Sequence, residues 1–179
     1  ADLTIMEEAK ELAEKLEPAE PGLYMLKKEY SLQRPSILGQ SRPRFVISGE
    51  ISSIYKKNGR VRKVHSLILL PSLEAAEVLS RRLEAIGNIH SDGRPILGLD
   101  CHDLLAITLE ACPDAIYVPA HIWTPHFSLF GAFSGFDTIE ECYEELTPQI
   151  HALETGLSSD PAMNGRLSAL DSFQLISNS

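Results

Sequence analysis

Six polar residues stand in or at the ends of apolar runs, where a folded chain could bring them together. Glu50 follows FVISG, Asp100 follows ILGL, His121 follows YVPA, Glu154 follows IHAL and Asn178 follows QLIS, while His65 lies inside RKVHSLILLP. Carboxylates and imidazoles converging at one rim are what a divalent cation needs, because hard and borderline metals bind oxygen and imidazole nitrogen. Two or three such cations could grip phosphate oxygens and lower the pKa of water toward neutrality. Each residue also has a plainer reading. Asp100, with Asp103, is a natural helix N-cap, Glu50 can pair with nearby basic residues, and His65 can be a satisfied core histidine. His90, His102 and His151 have surface or cap contexts. In IYVPAHIWTPHFSLFG, His126 lies five residues after His121, which is neither a helical i, i+4 pair nor HExxH, so the two need not act together. Other chemistries lack their motifs. There is no GxxxxGK[ST] and no GxSxG, and histidines at the rim make a paired-carboxylate glycosidase less attractive.

The elements that must position these residues alternate. TIMEEAKELAEKLE, residues 4–17, has helical spacing and stops before Pro18; residues 20–43 read mostly as loop, with a short helix possible in GLYMLKKEY. RFVISGE reads as a short strand ending at Gly49-Glu50, KKNGR carries the Asn-Gly hairpin signal, and VRKVHSLILLP reads as a second strand. Ser72 caps SLEAAEVLSRRLEAIG, closed by Gly87 and Asn88. Then follow strand PILGL, helix DLLAITLEA, strand AIYVPA, the long loop 121–136, a helix opened by Asp137, strand IHALE, a helix near 162–170 and strand FQLIS. This alternation predicts parallel strands with crossovers, hence an α/β fold, and the missing Gly-rich nucleotide fingerprint favours a barrel over an open sheet. In such a barrel the functional groups sit where strands end.

At 179 residues one domain, 1–179, is expected. No apolar run approaches a membrane span, and three scattered cysteines without CxxC fit a reduced, cytoplasmic setting. The net charge of −9 argues against a general nucleic-acid coat. Its distribution is uneven, however: ten basic residues between Lys27 and Lys63 face only Glu29 and Glu50, a window of +8 within a remainder of −17. That window, with Lys56, Lys57, Arg60 and Arg62 near the hairpin, can attract a phosphate backbone.

GEISSIY, KVHSLILLPSLEAAE, SDGRPILGLD, VPAHIWTPHFSLFG, SGFDTIEECY, ETGLSSDPAMN, RLSALD and LISNS together resemble the PHP (polymerase and histidinol phosphatase) metal-dependent phosphoesterases, in particular the endonuclease Q-like branch. The resemblance runs through residues 44–179 and more weakly through 7–30. It implies a distorted (β/α)7 barrel with two or three divalent metals, zinc, manganese or iron, at one rim. Glu50 matches the metal-bridging, catalytic glutamate, and His65 and His121 match metal-binding histidines. Glu154 belongs to the same rim without an assigned role, and His126 stands where relatives carry an aromatic.

The implied activity is hydrolysis of phosphodiesters in deaminated or damaged DNA. DNA would be held by the basic window, and a displaced base would sit near Trp123 and His126 in the aromatic loop. Two departures accompany the match. A His-x-His pair is expected near the start, where Ala1-Asp2-Leu3 is followed by Thr4, and an Asp-x-His is expected after Ser179. The resemblance therefore implies at least four further ligands, an incomplete chain at Leu3/Thr4 and after Ser179 with some N-terminal elements missing, and weak catalysis by these 179 residues alone. A phosphomonoesterase acting on a small ester, and a non-catalytic nucleic-acid-binding or structural remnant of the fold, are the alternative expectations.

Overall fold

The computed structural model describes residues 5–30, 43–90, 94–155, 164–165 and 167–177. Arg34, Arg42, Asn178 and residues 162, 163 and 166 of the helix expected near 162–170 lie outside them, and within that stretch Ser168–Leu170 forms a short 3-10 helix. Helix α1 (Ile5–Lys15) ends earlier than the apolar spacing suggests, because Leu16 already belongs to a strand. β1 (Leu16–Glu20) pairs antiparallel with β2 (Leu23–Leu26) around Gly22, whose φ of 75° suits glycine. The expected loop is thus a hairpin with Pro21-Gly22 as its turn signal, and of GLYMLKKEY only Lys28–Tyr30 forms a short 3-10 helix. Pro18 is tolerated because β1 is an edge strand, whereas the outer edge of β2 is bridged by Phe45.

The main sheet has the order β5-β3-β4-β6. β3 (Ile47–Lys57) and β4 (Arg60–Leu70) form a long antiparallel hairpin closed by Asn58-Gly59, with φ of 52° and 73°, the two left-handed residues that a tight hairpin turn requires. β5 (Ile96–Leu97) runs parallel to β3, and β6 (Ile116–Pro119) runs antiparallel to β4. A separate parallel pair joins β7 (Ala152–Glu154) and β8 (Gln174–Ile176). The fold is mixed α/β, and among the described residues no sheet closes into a barrel. The hairpin read from Asn58-Gly59 is present, whereas the parallel strands expected from the strand–helix alternation fail at β6, which runs antiparallel to β4. β3 also runs on past Glu50 to Lys57, so Glu50 and His65 lie within strands, not at their tips.

One face of the sheet, carrying Ile51, Tyr55, Val64, Ile68, Leu70 and Tyr117, packs into a single core with Leu79 and Leu83 of α2 (Leu73–Glu84) and Leu104 and Leu105 of α3 (Cys101–Ala111). Each such fully buried side chain contributes about 1.5–3 kcal/mol of transfer free energy. Ser72 caps α2 by accepting from the Ala75 N–H at 3.1 Å, and Asp100 caps α3 by accepting from the His102 N–H at 2.9 Å. The short α4 (Ile139–Tyr143) is capped by Thr138, one residue later than the Asp137 start read from the sequence. Cys101, Cys112 and Cys142 are buried free thiols. Among the described residues no helix is long and apolar enough to cross a membrane.

Candidate metal centre

The hairpin register assembles the first two functional groups. Glu50 lies opposite Leu67 and Ser52 lies opposite His65, so Glu50 and His65 are diagonal neighbours on the sheet face away from the helical core. Glu50 Oε1 comes within 3.1 Å of His65 Nδ1. β6 brings the third group. The Ala120 N–H donates to the His65 carbonyl at 3.0 Å, and the next residue turns sharply, with His121 at φ 32°. His121 Nε2 then stands 3.0 Å from His65 Nδ1, the two rings nearly perpendicular.

A left-handed conformation is costly for a residue other than glycine and persists only where neighbours fix it. Here Glu154 does much of the fixing. Its buried carboxylate accepts from the His121 N–H, and its carbonyl accepts from the Ile122 N–H at 3.0 Å. The His121 carbonyl accepts from the Thr124 N–H at 3.0 Å and from its hydroxyl at 3.2 Å. Glu154 Oε2 also lies 3.5 Å from His121 Nδ1. A carboxylate behind one imidazole nitrogen keeps the proton there and leaves the other nitrogen as a lone pair, the arrangement found behind metal-binding histidines. Four neighbouring strands, β3, β4, β6 and β7, therefore supply Glu50, His65, His121 and Glu154 in turn.

Charge and burial favour a cation at this point. Burial pushes the Glu50 carboxyl upward, but His65 and the Arg94 guanidinium outweigh it and hold the pKa below the usual carboxylate value. Burial first, and then the neighbouring His65, lower the His121 pKa below the ordinary imidazole value. His65 Nδ1 faces two acceptors, His121 Nε2 and Glu50 Oε1, and its single proton can serve one. Glu50 Oε1 is buried and has no aligned hydrogen-bond donor. An orphaned carboxylate oxygen among converging imidazole nitrogens, all within 4.8 Å of one another, fits a divalent cation. A second group, His102, Glu144 and Glu145, satisfies the same spacing but is already paired. His102 Nε2 meets Glu145 at 2.9 Å and Lys57 Nζ meets Glu144 at 2.6 Å, a surface ion network.

Loop 121–136 walls this centre. The Phe127 carbonyl accepts from the His65 N–H at 3.1 Å, and its ring packs against the His65 imidazole with centroids 4.7 Å apart. Trp123 turns inward, with Nε1 donating to Asn164 Oδ1 at 2.7 Å and the ring against Phe130. His126 does not join the ligand group. It is exposed and stacks on Phe133, itself 67% exposed, with centroids 4.6 Å apart.

Strand alternation divides the basic residues. Arg62 and Lys57 fall on the core side. Arg62 is buried, donating to the Gly135 carbonyl beneath the Phe136 ring, and Lys57 is tied to Asp100, Glu144 and the Cys142 carbonyl. The fold therefore does not gather the four basic residues near the hairpin on one surface. Lys56 and Arg60 remain exposed at its tip. Lys63, two residues before His65 and on its face, extends over the Phe127 ring at 5.4 Å. Sequence reading assigned no role to Arg94 or Glu154 and counted Lys63 only within the basic window. Strand parity could have found Lys63, whereas Arg94 reaches Glu50 from a distant segment with no local signal.

No protein-family model matches the chain. The uncharacterized protein YqxK of Bacillus subtilis (strain 168) is 30% identical over 119 residues, 65% of this chain and 29% of that protein. Among solved structures, the lesion-specific endonuclease PfuEndoQ from Pyrococcus furiosus matches with a TM-score of 0.73 and 26% identity, over 99% of this chain and 38% of that one. The chain spans well under half the length of either protein. Its fold is similar to that of a lesion-specific endonuclease, and it carries residue groups with the spacing of a metal site.

Proposed function

We propose that this chain is part of a PHP-type, metal-dependent phosphodiester hydrolase, an endonuclease Q-like nuclease acting on deaminated or damaged DNA. The observation that carries the reading is the orphaned Glu50 Oε1 facing His65 and His121, in a fold similar to that of a lesion-specific endonuclease. A divalent cation there, zinc, manganese or iron, would supply Lewis-acid stabilisation of a phosphate ester and acidify water. Glu50, His65 and His121 would bind it, with Glu154 orienting His121 from behind. Phe127 covers one side of His65 and limits solvent access. Lys56, Arg60 and Lys63 attract the DNA backbone, while Lys57 and Arg62 brace the hairpin that carries the ligands. The exposed Phe133–His126 stack offers a face for an unstacked base, and Trp123 supports the loop from within.

Metal content and DNA binding test this together. The wild-type chain should retain a transition metal after dialysis, and His121→Ala should lose it. A deoxyuridine-containing oligonucleotide should bind more tightly than its undamaged counterpart. Changing Lys56, Arg60 and Lys63 to Glu should weaken DNA binding and lower the salt slope by about one per lost phosphate contact. A wild-type chain without metal, or charge reversals that leave DNA affinity unchanged, would refute the nuclease reading. Unchanged DNA binding with retained metal would favour a phosphomonoesterase.

A further inference from the structure

Arg94, within SDGRPILGLD, enters the candidate centre with no role assigned to it by the family resemblance. The following residue, Pro95, accepts the Ser52 N–H at 2.9 Å, and β5 then pairs with β3, so the backbone beside Arg94 is fixed two residues from Glu50. Arg94 Nη2 donates to Glu50 Oε2 at 3.0 Å. The side chain is 46% exposed, and among the described residues its Nε and Nη1 have no protein partner.

A guanidinium is permanently charged, so beside a cation-binding carboxylate it opposes the cation. A neutral amide could also donate to Glu50, without that repulsion. Charge counting suggests why a cation is tolerable. Glu50 and Glu154 carry two negative charges against one on Arg94, and an imidazole coordinates a cation as a neutral ligand. A dication turns the resulting −1 into +1, and one phosphodiester anion returns the site to zero. Arginine's planar fork also matches two oxygens of one phosphate group.

We infer that Arg94 is a phosphate-binding residue of this centre, using Nη1 and the second N–H of Nη2, not committed to Glu50, to hold non-bridging oxygens of a phosphate ester. The inference rests on the metal-dependent reading proposed above. It makes cation and phosphate mutually dependent ligands: each neutralises what would repel the other, and the two affinities must rise by the same factor.

The test measures binding, not turnover. Mn2+ is titrated calorimetrically into the full wild-type chain, Arg94→Gln and Arg94→Lys, with and without inorganic phosphate, at corrected free-ion concentrations. Circular dichroism checks that each variant is folded. In the wild type, phosphate should tighten Mn2+ binding by about tenfold, within the range usual for coupled sites. In Arg94→Gln, Mn2+ alone should bind at least as tightly as in the wild type, while the phosphate enhancement falls below about twofold. Arg94→Lys should keep part of it, because a point charge still attracts phosphate. The inference is overturned if Arg94→Gln weakens Mn2+ equally with and without phosphate, since Arg94 would then be only a strut for Glu50. It is also overturned if phosphate leaves wild-type Mn2+ binding unchanged while Mn2+ itself binds, a result that spares the metal-dependent reading. Absence of Mn2+ binding in the wild type would overturn both.

Discussion

Glu154 is the sharpest place to perturb the candidate centre, because two substitutions there separate metal affinity from folding. Its carboxylate is 5% exposed, accepts the His121 N–H and faces His121 Nδ1 at 3.5 Å. Glu154→Gln keeps an acceptor oxygen for the backbone N–H but removes the negative charge that fixes the imidazole tautomer and raises its basicity. Loss of such a supporting carboxylate typically costs 10–100-fold in metal affinity, about 1.4–2.7 kcal/mol. Glu154→Ala removes the acceptor as well and strands a backbone N–H at a residue already held at φ 32°. Its added stability cost should be about 1–3 kcal/mol, large against the 5–15 kcal/mol of a typical domain. Calorimetric Mn2+ or Zn2+ titration reads the first effect and urea unfolding of the metal-free chain reads the second. Glu154→Gln should therefore lose metal affinity with little loss of stability, and Glu154→Ala should lose both. Metal affinity for Glu154→Gln within about twofold of wild type would refute the supporting role.

Three further outcomes follow from the described contacts. In NMR titrations of the metal-free chain, His102 should titrate above and His121 below the ordinary imidazole value of about 6.5. The folded state then binds the His102 proton more tightly, so that contribution to stability is present below about pH 6.5 and is lost as pH rises through the raised pKa. The His121 contribution has the opposite sign and declines as pH falls below about 6.5, and replacing each histidine by Gln should remove its own part of the profile. Ser72→Ala removes the α2 cap and Gly59→Ala places a side chain at φ 73°, each costing about 1 kcal/mol by urea unfolding with unchanged metal affinity. Phe133→Ala should weaken single-stranded DNA binding by about 1–3 kcal/mol while Mn2+ affinity is unchanged, whereas equal DNA affinity would remove Phe133 from the proposed stacking face.

Local chemistry made much of the fold legible. Asn58-Gly59 marks the long hairpin, Ser72 and Asp100 cap their helices, and the apolar run before His121 is a strand. The barrel expectation was not met among the described residues. Alternating strands and helices read as parallel because sequence order alone does not reveal that β4 and β6 run antiparallel. The end of β3 was misplaced at Glu50 because the following Ser52 and Ser53 look loop-like, yet both are buried in the sheet. For the centre, a resemblance marked Glu50, His65 and His121, and the fold brings these together. The basic window was less informative, since linear charge density ignores the period of two that sends Arg62 into the core and Lys63 to the ligand face.

The same period makes a distant turn the ruler of the centre. Sliding β4 by one residue against β3 would point every side chain of the slipped strand to the opposite face. His65 would leave Glu50 for the helical core, Arg62 would surface, and Lys63 would be carried inward. No ligand would have changed identity, yet the pair would be gone. A deletion at Asn58-Gly59 could thus abolish cation binding from the far end of the hairpin. In a screen that scores only the substituted position, such a loss would look like action at a distance, although its cause is a change of alignment.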